Sequence, residues 1–312
     1  MRQVAEPALE RPRNTLLRYF AATRPGFLSV TFVGCLLGVA SAVDSGVRLD
    51  FAAAAVTLVF ALVAHAGANV LNDYYDALNG SDADNGDRIY PFTGGSRFIQ
   101  NGVLTAPETG RFGYALMAVV IPAGLWLAAL SAPGLLLIGL AGLFVGWAYS
   151  APPLRLMSRG LGEIAITAAW LLVVVGSDYV QRRSFSFAPV AAGLGFALLV
   201  ANVLYMNQFP DVRADARAGK KTLVVRLGVA RARWGYALMA LLAYAWLFAN
   251  TLAGRLPSPS LLAIAPAALS YAAARRLWDH AGNPSSLEPA IKSTILAAVL
   301  YGLVLAGVLA FS

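Results

Sequence analysis

Nine long apolar stretches divide this chain, at residues 27–43, 51–74, 112–130, 134–150, 161–180, 187–208, 234–253, 260–278 and 289–311. Each has the length that a bilayer core requires of a helix, about 17–25 residues. Hydrocarbon offers no partner to backbone N–H and C=O groups, so a spanning segment must be a helix or part of a closed barrel. The expected fold is therefore an all-α membrane protein with nine transmembrane helices. Composition agrees: 58% of residues are hydrophobic and 13% are charged, against about 25% charged in a soluble domain.

The net charge of +8 does not point to nucleic acid, because in a membrane protein Lys and Arg collect in cytoplasmic loops. With the N-terminus inside, 20 of the 24 basic residues fall in cytoplasmic segments, leaving Arg48, Arg182, Arg183 and Arg255 outside. This split orients nine helices with the C-terminus outside. It divides the chain into a cytoplasmic segment, 1–26, and one membrane domain, 27–312. Three cytoplasmic loops, at about 75–111, 151–160 and 209–233, are expected to cap that domain. The first 24 residues carry five arginines and two glutamates ahead of any apolar run and do not read as a cleaved signal peptide. The single cysteine, Cys35, excludes an internal disulfide and is expected as a small buried residue. With only His65 and His280 present, a histidine metal site is not expected, and His65 is expected to hydrogen-bond between helices.

An internal repeat locates the functional region. ANVL occurs at Ala68–Leu71 and again at Ala201–Leu204. Each copy is followed by Asn-x-x-x-Asp, as Asn72 with Asp76 and Asn207 with Asp211, and then by a further aspartate, Asp82 or Asp215. Residues four apart share a helix face. The repeat suggests a duplicated unit whose two acidic clusters face each other across a central cavity. Asn69 and Asn202 are expected as analogues, and Pro210 is expected to break its helix beside the second cluster.

Carboxylates at a membrane face are costly and need partners. Such hard oxygen ligands suit Mg²⁺, which takes one or two carboxylates and completes its shell with water and substrate phosphate. Arg88, Arg97, Lys220 and Lys221 fit a diphosphate, and the Thr93-Gly94-Gly95-Ser96 turn could aim backbone amides at an anion. Blander readings stand beside these: Asp84 and Asp87 as solvated acids, Arg213 and Arg217 as helical partners of Asp211 and Asp215, and the glycine turn as a flexible link. Tyr74, Tyr75 and Tyr149 offer π faces to a carbocation.

The stretches NDYYDALNGSD (Asn72–Asp82), YSAPPLRL (Tyr149–Leu156) and DVRADARAGKKTLVVRLG (Asp211–Gly228) resemble the UbiA superfamily of intramembrane prenyltransferases over nearly the whole chain. Many members carry N-D-x-x-D-x-x-x-D. Here position 80 is Gly80 and the last aspartate falls at Asp82, a spacing that looks like the 1,4-dihydroxy-2-naphthoate polyprenyltransferase branch. The resemblance implies a UbiA-type fold around a central cavity and Mg²⁺-dependent transfer of a prenyl group from its diphosphate to an aromatic quinone precursor. The expected location is a bacterial inner membrane, and the long, basic inside loops place the site at its cytoplasmic face.

The resemblance also implies roles. Asn72, Asp76 and Asp82 would form one metal cluster, and Asp211 and Asp215 the other. Asp73 would orient ligands or act near the acceptor. Arg88, Tyr149, Ser150 and one of Lys220 and Lys221 would contact diphosphate. Arg24 would face the acceptor, and Arg155 lies in a cap loop that could close over the site. Asn69, Arg97 and Asn207 complete the candidate substrate contacts. Rival readings are a cation-coupled transporter, a phosphatidyl-alcohol transferase, which the Ala77 after Asp76 disfavours, a terpene cyclase of the same fold, and another acceptor such as 4-hydroxybenzoate.

Overall fold

The computed structural model describes residues 5–8, 14–83 and 85–312, and among these it is helical. The elements are α1 (Thr15–Ala22), α2 (Leu28–Asp44), α3 (Phe51–Asn79), α4 (Ala106–Leu130), α5 (Gly134–Ser150), α6 (Gly162–Arg182), α7 (Ala188–Arg217), α8 (Leu223–Leu227), α9 (Val229–Leu252), α10 (Ala267–His280) and α11 (Glu288–Ala310). Seven helices are long and apolar enough to cross a membrane, beginning at Pro25, Phe51, Ala106, Gly162, Ala188, Val229 and Glu288. The protein is an integral membrane protein. Helix α5 is equally apolar but shorter.

The eighth expected stretch, 260–278, is not one helix. A 3-10 turn, Ser258–Ile264, precedes α10, and Pro266 stands at the junction, where its missing N–H cannot continue the ladder. Helix α10 also carries Arg275, Arg276 and Asp279 on its later turns.

Side chains set the helix ends. Asp50 caps α3 by accepting from the Ala53 amide at 3.0 Å, and Gly80 ends it in the left-handed region at φ 82°. Thr105 and Glu108 form a reciprocal capping box at the start of α4. Helix α7 runs through Pro210 to Arg217, so the expected break does not occur. Proline removes one bond, to the carbonyl of Met206, and the long helix tolerates this loss within its packed surroundings. The later turns of α3 and α7 thus occupy segments expected as loop beyond Tyr75 and Phe209.

Close packing depends on small residues. On α2, Gly34 and Gly38 lie four apart. A Cβ at Gly38 would collide with the Val174 carbonyl oxygen and the Ser177 side chain of α6. Without a hydrophobic driving force in lipid, such backbone approach is a main source of helix association. The central core gathers Leu37, Val174, Phe196, Leu247 and Tyr301, drawn from α2, α6, α7, α9 and α11. Cys35 is buried here as expected, and His65 Nδ1 pairs with the Thr31 hydroxyl at 2.8 Å, joining α3 to α2.

Candidate active site

A cavity of about 1130 Å³ lies among α2 to α7, larger than the roughly 300–1,000 Å³ usual for small-ligand sites. Most of its wall is apolar, with Phe60, Leu125, Leu140 and Val173 among the lining residues. Its polar end is built from the later turns of α3 and α7 and the loop from 80 to 105.

The two acidic clusters meet there. Asp76 accepts from Asn72 Nδ2, Asn79 Nδ2 and Lys220 Nζ, each at 3.1 Å. Lys220 Nζ also lies 3.2 Å from Asp215 Oδ1 and donates to the Ser81 hydroxyl at 3.4 Å. One buried ammonium therefore bridges carboxylates 139 positions apart in sequence. Asp211 accepts from Asn85 Nδ2 at 2.6 Å, and the Thr93 hydroxyl and the Gly94 amide lie near it. Asp82 stands beside them, 6% exposed. Burial first, and then the charges of Asp76 and Asp73, hold its carboxyl well above the usual range. Such crowding of acids favours a bound cation.

The donor set fits a hard metal. Asp82 Oδ2, Asp215 Oδ2, Asn85 Oδ1 and Asn207 Oδ1 are buried and accept no hydrogen bond. Orphaned oxygens of this kind are costly, and they are the atoms that Mg²⁺ prefers. Among the described residues no group of three or more His, Cys, Asp or Glu side chains could hold an ion. Protein oxygens would then supply part of a shell, and a ligand the rest.

The structure sorts the expected residues. Arg24, Asn69, Asn72, Asp76, Asp82, Tyr149, Asn207, Asp211, Asp215 and Lys220 line the cavity, whereas Asp73, Arg88, Arg97, Ser150, Arg155 and Lys221 do not. Ser150 stands just behind the lining, accepting from Asn72 at 3.1 Å. Asp73 is buried and accepts from the Ser96 amide at 3.2 Å. The 93–96 turn thus spends an amide on the chain's own Asp73 and lies beside Asp211. Gly95, at φ 72°, leaves room for Asp82 and Asp73, which a Cβ would strike. Lys220 is buried and Lys221 exposed; the Lys221 amide ties to the Ser158 carbonyl at 2.8 Å. Arg155 is exposed. Arg24 donates to the Phe92 carbonyl at 3.2 Å, Asn69 to the Thr23 carbonyl at 3.1 Å, and Asn207 to the Phe92 carbonyl at 3.3 Å.

Several expectations change. Arg213 pairs with Asp87 at 2.9 Å rather than with its helical neighbours; Asp84 lies outside the described residues. Of the three tyrosines only Tyr149 lines the cavity. Tyr75 instead meets the Tyr114 hydroxyl at 2.5 Å, and Tyr74 packs against Gly110. Asn202 is no analogue of Asn69: it donates to the Tyr236 carbonyl at 3.0 Å. The second copy carries two extra residues, Tyr205 and Met206, before its Asn. At about 100° per residue, Asn202 and Asn207 lie about 140° apart around α7. Asn85 joins the site and Glu6 reaches its edge although no motif marks them, and Ser81, within the Asn72–Asp82 stretch, meets Lys220. Asn85 sits in a run of polar residues that resembles any solvated turn.

Acidic clusters gathered at the head of an apolar chamber inside a helical membrane protein define an intramembrane enzyme for amphiphilic substrates. The chain belongs to the UbiA prenyltransferase family, whose profile matches residues 27–291, and it is a prenyltransferase. The 1,4-dihydroxy-2-naphthoate octaprenyltransferase of Mycobacterium tuberculosis is 33% identical over 262 residues, covering 83% of this chain and 85% of that protein. The enzyme of the same name from Escherichia coli is 30% identical over 295 residues, covering 91% and 92%. A UbiA homolog from Archaeoglobus fulgidus, solved with DMAPP and Mg²⁺, shares the fold with a TM-score of 0.63. It is 19% identical, over 93% of this chain and 99% of that one.

Proposed function

We propose that this enzyme moves a polyprenyl group from its diphosphate to 1,4-dihydroxy-2-naphthoate or a closely related quinone precursor, with Mg²⁺, in a bacterial inner membrane. The observation that carries this reading is the convergence of Asp76 and Asp215 on Lys220 at the head of one apolar cavity. The names of the similar bacterial enzymes and the Gly80-Ser81-Asp82 spacing favour the naphthoate. A nine-span arrangement, N-terminus and site in the cytoplasm, follows the charge distribution.

In this mechanism Asn72, Asp76 and Asp82 would hold the metal from α3 and its loop, and Asp211 and Asp215 would hold it from α7. Bound Mg²⁺ supplies neutralisation of the diphosphate. The Lys220 ammonium adds positive charge where negative charge gathers on the leaving diphosphate. The allylic C–O bond breaks with its electron pair going to diphosphate. The apolar wall keeps water from the cation, and the Tyr149 ring faces the same space. An electron-rich ring carbon forms the new C–C bond. The ring then loses a proton, or carbon dioxide from a carboxylate at the attacked carbon, and that bonding pair restores aromaticity.

Purified protein incubated with a polyprenyl diphosphate, Mg²⁺ and a panel of naphthoic and phenolic acids tests this directly. Mass spectrometry should find prenylated naphthol only with 1,4-dihydroxy-2-naphthoate or a close relative. A cyclised hydrocarbon formed without acceptor, or product only with 4-hydroxybenzoate, would replace the reading.

A further inference from the structure

One corner of the cavity already holds a carboxylate, and it is the chain's own. Glu6 Oε1 accepts from Arg88 Nε at 2.7 Å and lies 2.7 Å from Arg88 Nη2. Glu6 Oε2 accepts from Asn101 Nδ2 at 3.2 Å and lies 3.8 Å from Arg97 Nε. Asn101 also donates to the Pro7 carbonyl at 2.9 Å, so the segment around Glu6 is fastened by main chain as well. Glu6 lines the cavity, and Arg88, Arg97 and Asn101, which hold it, do not. Arg97 is 7% exposed, and its Nε has no hydrogen-bond partner.

Arg88 and Arg97 share Glu6, with Asp82 also acting on Arg97, and a buried cation left part-paired is costly. The donors converge on two oxygens of one planar group, the geometry in which Arg excels. Diphosphate is served elsewhere, by Asp76, Asp82, Asp211, Asp215 and Lys220. The link to that centre is short, because Arg97 Nη1 donates to the Asp82 carbonyl.

We propose that Arg88, Arg97 and Asn101 form a carboxylate subsite for the aromatic acceptor, and that Glu6 occupies it until the acceptor's carboxylate takes its place. This rests on the reading that the acceptor is an aromatic acid. The subsite selects acceptors that carry a carboxylate and anchors them beside Asp82, while the Glu6 strap keeps the cationic corner filled between turnovers.

The test uses the full chain and steady-state kinetics with three variable substrates: 1,4-dihydroxy-2-naphthoate, its decarboxylated analogue 1,4-dihydroxynaphthalene, and the prenyl diphosphate. Glu6→Ala and Glu6→Gln should lower KM for the acid by about threefold or more, since a competing charged hydrogen bond is gone. KM for the analogue and for the diphosphate should not move. Arg88→Gln should raise KM for the acid about tenfold, the loss of one charge-assisted bond, and again leave the analogue alone. An unchanged KM for the acid in both Glu6 variants overturns the proposal. So does an equal shift for acid and analogue, which marks a plain lid, or a shift confined to the diphosphate, which assigns the arginines to the donor. If the wild type uses neither acid nor analogue, the acceptor reading has failed; if it uses the acid and the variants do not respond, only the subsite has.

Discussion

The two neighbouring lysines separate by environment. Lys220 is buried against Asp76 and Asp215, and Lys221 is exposed. Lys220→Met would leave two buried carboxylates facing each other. We expect it to cost about 3–5 kcal/mol of stability, as breaking a buried pair does, and to abolish turnover. Lys221→Ala should keep both within about 0.5 kcal/mol of wild type, as surface substitutions do. Thermal unfolding in detergent, with turnover in parallel, checks the contrast. Sequence alone left these lysines undecided, because adjacent residues carry the same charge and only the seating of the 218–222 turn decides which one points inward. Asn72, Asp76 and Asp211 were legible from their four-residue spacing, a property of the helix itself. Glu6 and Asn85 were not: their partners, Arg88 and Asp211, lie 82 and 126 positions away, and no local pattern encodes such a pairing.

Helices α3 and α7 bring the acids to one end of the chamber, and the 80–105 loop ties the two together. Its turn at Gly94 and Gly95 needs positive φ and no side chain. Gly95→Ala should push Asp82 out of place and raise the Mg²⁺ concentration for half-maximal activity by about tenfold or more, in the range seen when a partner orienting a metal ligand is lost. A metal titration of initial rate measures this; an unchanged half-saturation point would count against Asp82 as a ligand. Lower in the bundle, Gly38→Val should cost about 1–3 kcal/mol through overpacking of α2 on α6, read as a lower unfolding temperature with the Mg²⁺ requirement unaltered. Most apolar runs announced their helices, since lipid demands them. The exceptions have local causes: Pro266 divides the eighth stretch, whereas Pro210 is absorbed by α7, which is buried along most of its length. Proline supplies the same missing N–H in both places, and packing determines the outcome.

At the scale of the whole molecule, the bundle gives an amphiphile two environments in one chamber: a long apolar bore, and a head where acids outnumber the ammonium between them. The unpartnered oxygens Asp82 Oδ2 and Asp215 Oδ2 are atoms that a divalent cation would satisfy. The central claim is that α3 and α7 contribute to one shared metal–diphosphate site. The measurement that meets it most directly is Mg²⁺-dependent binding of a prenyl diphosphate to purified wild type, Asp76→Asn and Asp211→Asn, each verified as folded. Binding should require Mg²⁺ in the wild type, vanish with chelator, and weaken by more than about a hundredfold in each variant, beyond the 10–100-fold that loss of an outer partner costs. Either variant binding the diphosphate as tightly as the wild type, with the same Mg²⁺ dependence, would contradict a shared site.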